Sequence, residues 1–243
     1  VVEPKGSISW ERAALNDIEK AMWAKPGTLS VLSWHYESWV HFISTWILPL
    51  DALLGWGYRI GRIIEVAWWN NVGKTTIALK WAVEAQKLWY HVLFVDAENA
   101  MDEDRLLTLW LDLKKTTLIK DDIIESWFAA IQKQVDSKKT FVIFDSVWEA
   151  QAHVDAHTDI WETRMMKRAQ VYSTVLTQIK KHIADSDSIL ILINQYYEAP
   201  TAFWDPKKTK WGRTIEYITS QRLELIWENT KSEVTYYSGI CYV

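Results

Sequence analysis

The 243-residue chain is predicted to form an α/β fold in which a mostly parallel, twisted sheet carries helices on both faces, with one further helix at the N-terminus. Two observations predict this architecture. From residue 63 onwards, short apolar runs typical of buried strands alternate with helical patterns, as in parallel sheets. Before them, residues 10–23 place apolar or small residues at helical spacing, and Pro26 and Gly27 end that segment.

The order of the elements suggests two parts, a helix with a linker at 1–40 and a core at 41–243. The predicted core strands are 63–67, 91–96, 140–145 and 188–193, and the predicted helices are 74–87, about 102–112, 121–136 and about 161–184. Two further runs at the end of the chain, 221–227 and 234–243, are predicted to extend the sheet as antiparallel strands.

Composition narrows the class of protein. Hydrophobic residues make up 49% of the chain, so it can bury a full core. The apolar runs are far shorter than the roughly 20 residues that span a bilayer, and a signal-peptide pattern is missing, so we expect a cytoplasmic protein without membrane contact. A single cysteine, Cys241, excludes an internal disulfide and a multi-cysteine metal site. Because the net charge is −4, binding to nucleic acid would require locally concentrated basic groups.

The segment 63–76 resembles a phosphate-binding loop, because a strand-like run leads into Gly73, Lys74 and Thr75 and then into a helical pattern. The pattern G-x-x-x-x-G-K-[ST] requires glycine where Trp68 stands. In such loops the lysine reaches the β and γ phosphates and the hydroxyl binds Mg²⁺. The alternative is a helix that merely begins with this tripeptide. The candidate nucleotide-binding residues here are Trp69, Asn70, Asn71, Val72, Gly73, Lys74, Thr75 and Thr76.

Polar residues follow the other predicted strands, at the sheet edge where open α/β sheets bind ligands. Asp145 ends an apolar strand and is a candidate metal ligand together with Thr75. Glu98 follows the strand 91–96 and could polarise a water for attack on a γ-phosphate. Gln195 follows the strand 188–193 and could sense that phosphate. Taken singly, each could instead be a helix cap, a turn residue or a solvated side chain.

The segment 196–214 is long, has little periodicity and contains two prolines. Loops of this length inside compact domains are usually functional or disordered. It contains a group of basic residues, namely Lys207, Lys208, Lys210 and Arg213.

Together these motifs identify a resemblance to the bacterial and phage RecA recombinases, a family of RecA-fold P-loop ATPases, over nearly the whole chain. The matching segments are 42–45 (FIST), 48–55, 61–66 (GRIIEV), 94–98 (FVDAE), 100–102 (AMD), 144–147 (FDSV), 164–166 (RMM), 193–195 (INQ) and 222–223 (RL). The DAE form at 96–98 is typical of bacterial or phage members, which implies the bacterial cytosol or nucleoid, or a phage-infected cell.

The resemblance implies an ATP-dependent and Mg²⁺-dependent recombinase that forms a helical filament on single-stranded DNA and exchanges strands with a homologous duplex. It assigns Lys74 to the triphosphate, Glu98 to water activation and Gln195 to coupling between the nucleotide and DNA, and these three are the candidate catalytic residues. Asp102 matches the family's adenine-contacting acid, and Arg105 stands where an aromatic residue usually stacks on adenine.

The same resemblance implies that the N-terminal helix docks on a neighbouring protomer and that loops at about 151–163 and 196–213 contact DNA. The candidate DNA-binding residues are Arg164, Lys207, Lys208, Lys210, Gly212 and Arg213. One departure concerns the second loop, where Tyr196, Tyr197 and Glu198 replace the family's usual basic residues. Tyrosine could stack on bases instead.

Two other functions remain open at this point. One is a hexameric motor or signalling ATPase that shares the fold but not DNA strand exchange. The other is a catalytically weak filament protein that serves as a scaffold on DNA, because Trp68 interrupts the phosphate-binding pattern.

The chain has 17 tryptophans but only 8 glycines, although glycine averages about 7% of residues in ordinary proteins. Several tryptophans stand where the family usually has glycine, namely Trp23, Trp46, Trp68, Trp89, Trp110, Trp204 and Trp211. We hypothesise that some of them are not the natural residues and that the P-loop backbone is built for glycine at position 68.

Overall fold

The computed structural model describes residues 9–23, 25, 42–68, 72–120, 123–147, 161–198, 207–209, 212–227 and 237–242. The chain forms two compact units, residues 1–41 and residues 42–243. In the first unit, helix α1 spans Ser9–Ala21, within one or two residues of the helix predicted at 10–23. It ends in a turn at which Trp23 has a φ of 54°.

The second unit begins with a short antiparallel pair, β1 (Phe42–Ile43) and β2 (Tyr58–Arg59). The strands of the main sheet are β3 (Arg62–Trp68), β4 (His91–Asp96), β5 (Thr116–Ile119), β6 (Thr140–Asp145), β7 (Ile189–Glu198), β8 (Lys207–Thr209), β9 (Gln221–Trp227) and β10 (Tyr237–Tyr242). The helices of this unit are α2 (Leu48–Leu54), α3 (Lys74–Lys87), α4 (Glu103–Thr108), α5 (Ile124–Ser137), α6 (Trp161–Asp185) and α7 (Gly212–Ile218).

The main sheet has the strand order β10-β9-β3-β7-β6-β4-β5, and β8 pairs with β7 outside this path. The six strands from β9 to β5 in this order are parallel to their neighbours. β10 is antiparallel to β9, and β8 is antiparallel to β7. This arrangement confirms the predicted mostly parallel α/β fold.

Helices cover both faces of the sheet, as predicted. On one face, α3 contributes Trp81 and the alanines beside it to a core that includes Ile64 and Val66 of β3. On the other face, Trp127 of α5 and Tyr172 of α6 lie in a core with alternate strand residues. This alternation follows from strand geometry, which points successive side chains to opposite faces. No helix among the described residues is long and apolar enough to cross a membrane.

Two regions differ from the sequence-based expectation. The helix predicted at about 102–112 is shorter: α4 ends at Thr108, and a 3₁₀ turn at Leu113–Lys115 leads into β5, a strand that the sequence pattern missed. Within the second candidate DNA loop at 196–213, the described residues belong to regular elements: β7 continues to Glu198, β8 pairs with it and α7 begins at Gly212. Short elements of this kind carry too few residues for a clear period.

Several turns of the described structure are occupied by tryptophan, as the sequence pattern indicated. Among the described residues, seven non-glycine residues have positive φ, and five of them are tryptophans: Trp23, Trp46, Trp56, Trp89 and Trp110. Four of the five stand at positions where glycine was expected, and Trp56 was missed. Positive φ is a backbone conformation that favours glycine and is unusual for bulky residues. Trp204 and Trp211 lie outside the described residues, as does the side chain of Trp68.

Candidate nucleotide-binding site

The candidate site lies where the carboxyl ends of four neighbouring parallel strands meet, in the order β3-β7-β6-β4. The register places Trp68 opposite Gln195 and Asp96 opposite Asp145. Since strand ends in register lie along one edge of a sheet, residues far apart in sequence come together here. Helix α3 begins at the same edge, with Gly73 at its N-cap in a left-handed conformation, φ 88°.

The two predicted metal ligands are in direct contact. The Thr75 hydroxyl donates a hydrogen bond of 2.5 Å to the Asp145 carboxylate. A hydroxyl and a carboxylate oxygen are hard ligands of the kind that Mg²⁺ prefers, and Mg²⁺ often uses only one or two protein ligands and keeps several waters. These two residues therefore fit a magnesium ion bound with a nucleotide.

The electrostatic environment of Asp145 is unusual. Burial, together with the nearby charges of Glu98 and Asp96, raises the pKa of Asp145 to about 6, against the opposing effects of the Thr75 hydrogen bond and Lys74. Desolvation favours the neutral acid because a buried carboxylate loses its water. A cation would bind the ionised form, so metal binding at this residue should weaken as the pH falls below about 6.

Lys74 is buried at the first turn of α3, with 7% of its surface exposed. Burial lowers the pKa of Lys74, and the charges of Asp145 and Glu98 oppose this shift. A buried ammonium therefore lies beside the N-terminus of a 14-residue helix, whose dipole also favours negative charge. This combination fits a phosphate group.

Glu98 is held from two sides. Its Oε1 atom accepts a hydrogen bond of 2.7 Å from the Ser146 hydroxyl and one of 3.2 Å from the Gln195 side-chain amide. Glu98 and Gln195 are 97 residues apart in the chain. The structure thus brings together the two residues that were predicted to activate water and to sense the γ-phosphate.

Asp96 holds the loop that carries Glu98, a role that the sequence analysis missed. This nearly fully buried carboxylate accepts hydrogen bonds of 3.1 Å and 2.8 Å from the backbone N–H groups of Ala100 and Met101. These contacts fold the loop that carries Glu98 back over the strand end. The signal was present, because an acid between a buried strand and a loop is a common turn residue.

The two candidate adenine contacts lie at the start of α4. Asp102 caps this helix, and its side chain accepts a hydrogen bond of 2.7 Å from the Arg105 backbone N–H. The Arg105 guanidinium donates to the Thr76 hydroxyl at 3.3 Å, which places it next to the start of α3. Both residues are exposed, so they remain accessible to a ligand.

Not all candidate residues can be placed. Trp69, Asn70 and Asn71 lie outside the described residues, so the expected path of the P-loop stays a prediction. Val72 packs against the core cluster beneath α3.

The candidate DNA-binding residues are placed only in part. Arg164 lies on α6, Lys207 and Lys208 lie on β8, and Gly212 and Arg213 begin α7. Lys210 and the loop 151–160 lie outside the described residues.

Comparison with known proteins supports the family resemblance found in the sequence. The family model for the RecA N-terminal domain matches residues 11–238. Protein RecA of Streptococcus gordonii, Streptococcus sanguinis and Streptococcus pyogenes are each 31% identical to this chain over 215 residues. The aligned region covers 87% of this chain and 56% of each relative, so the chain spans little more than half of their length. By the extent of the family match, by these relatives and by the parallel sheet described above, the chain belongs to the RecA family.

Proposed function

We propose that this chain is the ATPase core of a DNA-dependent recombinase that forms a filament on single-stranded DNA and exchanges strands with a homologous duplex. The observation that carries the proposal is the arrangement at the sheet edge. A buried lysine and a hydroxyl–carboxylate pair lie beside a glutamate that accepts a hydrogen bond from Gln195, the residue of β7 just before those that pair with β8.

Each group has a role that fits ATP hydrolysis. The ammonium of Lys74 would bind phosphate oxygens, while Thr75 and Asp145 would hold Mg²⁺. When bound, Mg²⁺ neutralises negative charge on the phosphates. Glu98 would orient the attacking water and accept its proton, since its carboxylate is already fixed by Ser146 and Gln195.

Gln195 links this chemistry to the predicted DNA-binding segment. It precedes Tyr196, whose backbone pairs with Thr209 at the base of the β7–β8 hairpin. The hairpin carries Lys207 and Lys208 on β8. A shift of the Gln195 side chain towards a γ-phosphate would therefore act at the base of a segment that carries positive charge.

ATP turnover measured with and without single-stranded DNA tests the proposal. We expect turnover that DNA stimulates. Lys74→Ala should lower it about a hundredfold or more, because a donor to the transferring phosphate is lost. Glu98→Gln should retain ATP binding but lose about a hundredfold or more in hydrolysis, because an amide cannot accept the proton.

Two exposed residues provide matched controls, Lys80→Ala on α3 and Glu103→Gln on α4, and both should leave turnover nearly unchanged. Turnover that does not respond to DNA would favour a motor or signalling ATPase, and no turnover would favour the scaffold. Retained hydrolysis in Lys74→Ala or Glu98→Gln would contradict the roles assigned to these residues.

A further inference from the structure

A buried carboxylate lies just behind the nucleotide-binding edge, in the middle of β3. Glu65 is fully buried between two neighbouring strands, β7 and β9. One carboxylate oxygen accepts a hydrogen bond of 2.8 Å from the Asn194 side-chain amide, and the other accepts one of 2.5 Å from Nε of Arg222. A buried charge is tolerated only when it is paired and hydrogen-bonded, and here both conditions are met.

Asn194 extends this contact to the candidate catalytic residues. It is also fully buried, and its side-chain oxygen accepts a hydrogen bond of 2.9 Å from the Gln195 backbone N–H. The Gln195 side chain in turn donates to Glu98 at 3.2 Å. A continuous series of hydrogen bonds therefore runs from Arg222 on β9 through Glu65, Asn194 and Gln195 to Glu98.

The charge of Glu65 decides which way the Asn194 amide points. An ionised carboxylate can only accept hydrogen bonds, so the amide nitrogen must face Glu65. The amide oxygen then faces the Gln195 N–H, which needs an acceptor. With a neutral amide at position 65, the opposite orientation of Asn194 would also find a donor, and the contact to Gln195 would no longer be specified.

Arg222 holds this carboxylate in an ion pair. Burial lowers the pKa of Arg222, but the charge of Glu65 and its hydrogen bond, together with the charge of Glu216, raise it above its ordinary value. The guanidinium is thus always charged. Its other partner, Glu216 on α7, is 3.3 Å away and about half exposed.

Strands β7 and β9 are linked again two residues further along each strand. The Tyr196 hydroxyl donates a short hydrogen bond to Glu224 of β9. The segment between Tyr196 and Arg222 contains the second candidate DNA-binding loop. A hydrogen bond therefore joins the first residue of that loop to the strand that follows the loop.

We propose that Glu65, held by Arg222, is a positioning residue for ATP hydrolysis that fixes Asn194 and Gln195 and thereby the Glu98 carboxylate. This assignment rests on the proposed ATPase function. Strand β9 follows the candidate DNA-binding loop and carries Arg222. A movement of β9 would therefore reach Glu98 through the same series of contacts.

The variant Glu65→Gln tests this assignment, because it keeps the shape of the side chain and removes its charge. We expect kcat for ATP hydrolysis to fall about tenfold or more, since small misplacements of catalytic groups have effects of this size. The KM for ATP should stay close to that of the unchanged chain, because Lys74 and Thr75 are not touched. The matched control is Glu216→Gln, which removes a charge beside the same arginine but should change kcat by less than about twofold.

Thermal unfolding measured in parallel shows whether each variant is folded. If Glu65→Gln does not fold, Arg222→Lys replaces it, since it keeps the positive charge but loses the planar guanidinium. We expect the same pattern of lowered kcat and retained KM. A folded variant with unchanged kcat would overturn the assignment, and so would an equal loss in Glu216→Gln. If the unchanged chain shows no ATP turnover, the proposed function fails and the assignment fails with it.

Discussion

The tryptophans whose side chains the structure describes fall into two groups that differ in backbone and in burial. Trp81 on α3 and Trp127 on α5 are almost completely buried in the two cores, where they pack against Tyr58 and Phe144 at ring-centroid distances of 4.6 Å and 4.3 Å. The tryptophans of the turns, in contrast, all have positive φ and are between 77% and 97% exposed. They are Trp23, Trp46, Trp56, Trp89 and Trp110.

The difference shows what each kind of position requires. At a buried position on a helix that packs against the sheet, a large apolar side chain stabilises the fold because its burial removes much apolar surface from water. A turn residue in the left-handed region is more stable as glycine, because glycine has no Cβ. The turn after α2 illustrates this: Gly55 and Gly57 also have positive φ, and a Cβ at Gly57 would lie 2.3 Å from the Ile43 carbonyl oxygen.

The exposed rings are not entirely without contacts. The ammonium groups of three lysines lie over the rings of Trp110, Trp46 and Trp89, at 4.8, 5.7 and 4.6 Å from the ring centroids. Such contacts contribute about 0.5–1 kcal/mol at exposed sites, which is comparable to the cost of a left-handed non-glycine residue. Replacing a turn tryptophan by glycine is therefore expected to change stability by different amounts at different turns.

The largest effect is expected in the buried group. Trp127→Ala should lower the free energy of unfolding by about 3–5 kcal/mol, because it leaves a cavity against Phe144. Chemical denaturation measures this loss. The control is Trp127→Phe, which keeps an aromatic ring and removes an indole N–H that has no hydrogen-bond partner among the described residues. Its loss should be under about 1.5 kcal/mol, and equal losses in both variants would contradict the packing argument.

A smaller change of opposite sign is expected in the turns. Trp56 has a φ of 89°, beyond the usual left-handed region, so Trp56→Gly should stabilise the fold by about 1 kcal/mol. Trp89 has a φ of 65° and loses its contact with Lys115 when it is replaced. Trp89→Gly should therefore change stability by less than about 0.5 kcal/mol. Denaturation of both variants tests the comparison, and a larger gain at Trp89 than at Trp56 would break it.

The third prediction concerns which amino acid the natural protein has at the turn positions, not the stability of variants. In protein isolated from its natural source, we expect peptide masses to show glycine at the five turn positions and tryptophan at Trp81 and Trp127. Glycine at Trp68 would complete the P-loop pattern. In the gene, the two groups should use different codons, since tryptophan has a single codon in the standard genetic code. Peptide masses that show tryptophan at the turn positions would contradict the hypothesis that glycine is the natural residue there.

Much of the candidate site could be predicted because its parts are local patterns. The Gly73-Lys74-Thr75 sequence after a strand, and the polar residues Glu98, Asp145 and Gln195 at strand ends, are each visible within a few residues. The support from Asp96 and Glu65 was not predicted. A buried carboxylate looks the same in sequence as an exposed one, and its partners determine what it does.

By itself, the sequence determined the α/β class, the long strands and helices, the family resemblance and the turn positions where glycine was expected. These features depend on periodicity and on short motifs, which act over neighbouring residues. Only the tertiary structure decided the strand order, the short elements β5, β8 and α7, and the series of contacts from Arg222 to Glu98. Arg222 and Glu65 are 157 residues apart, and nothing local in the chain specifies that β3 lies between β7 and β9. That order follows from how the apolar faces of all the elements are buried together.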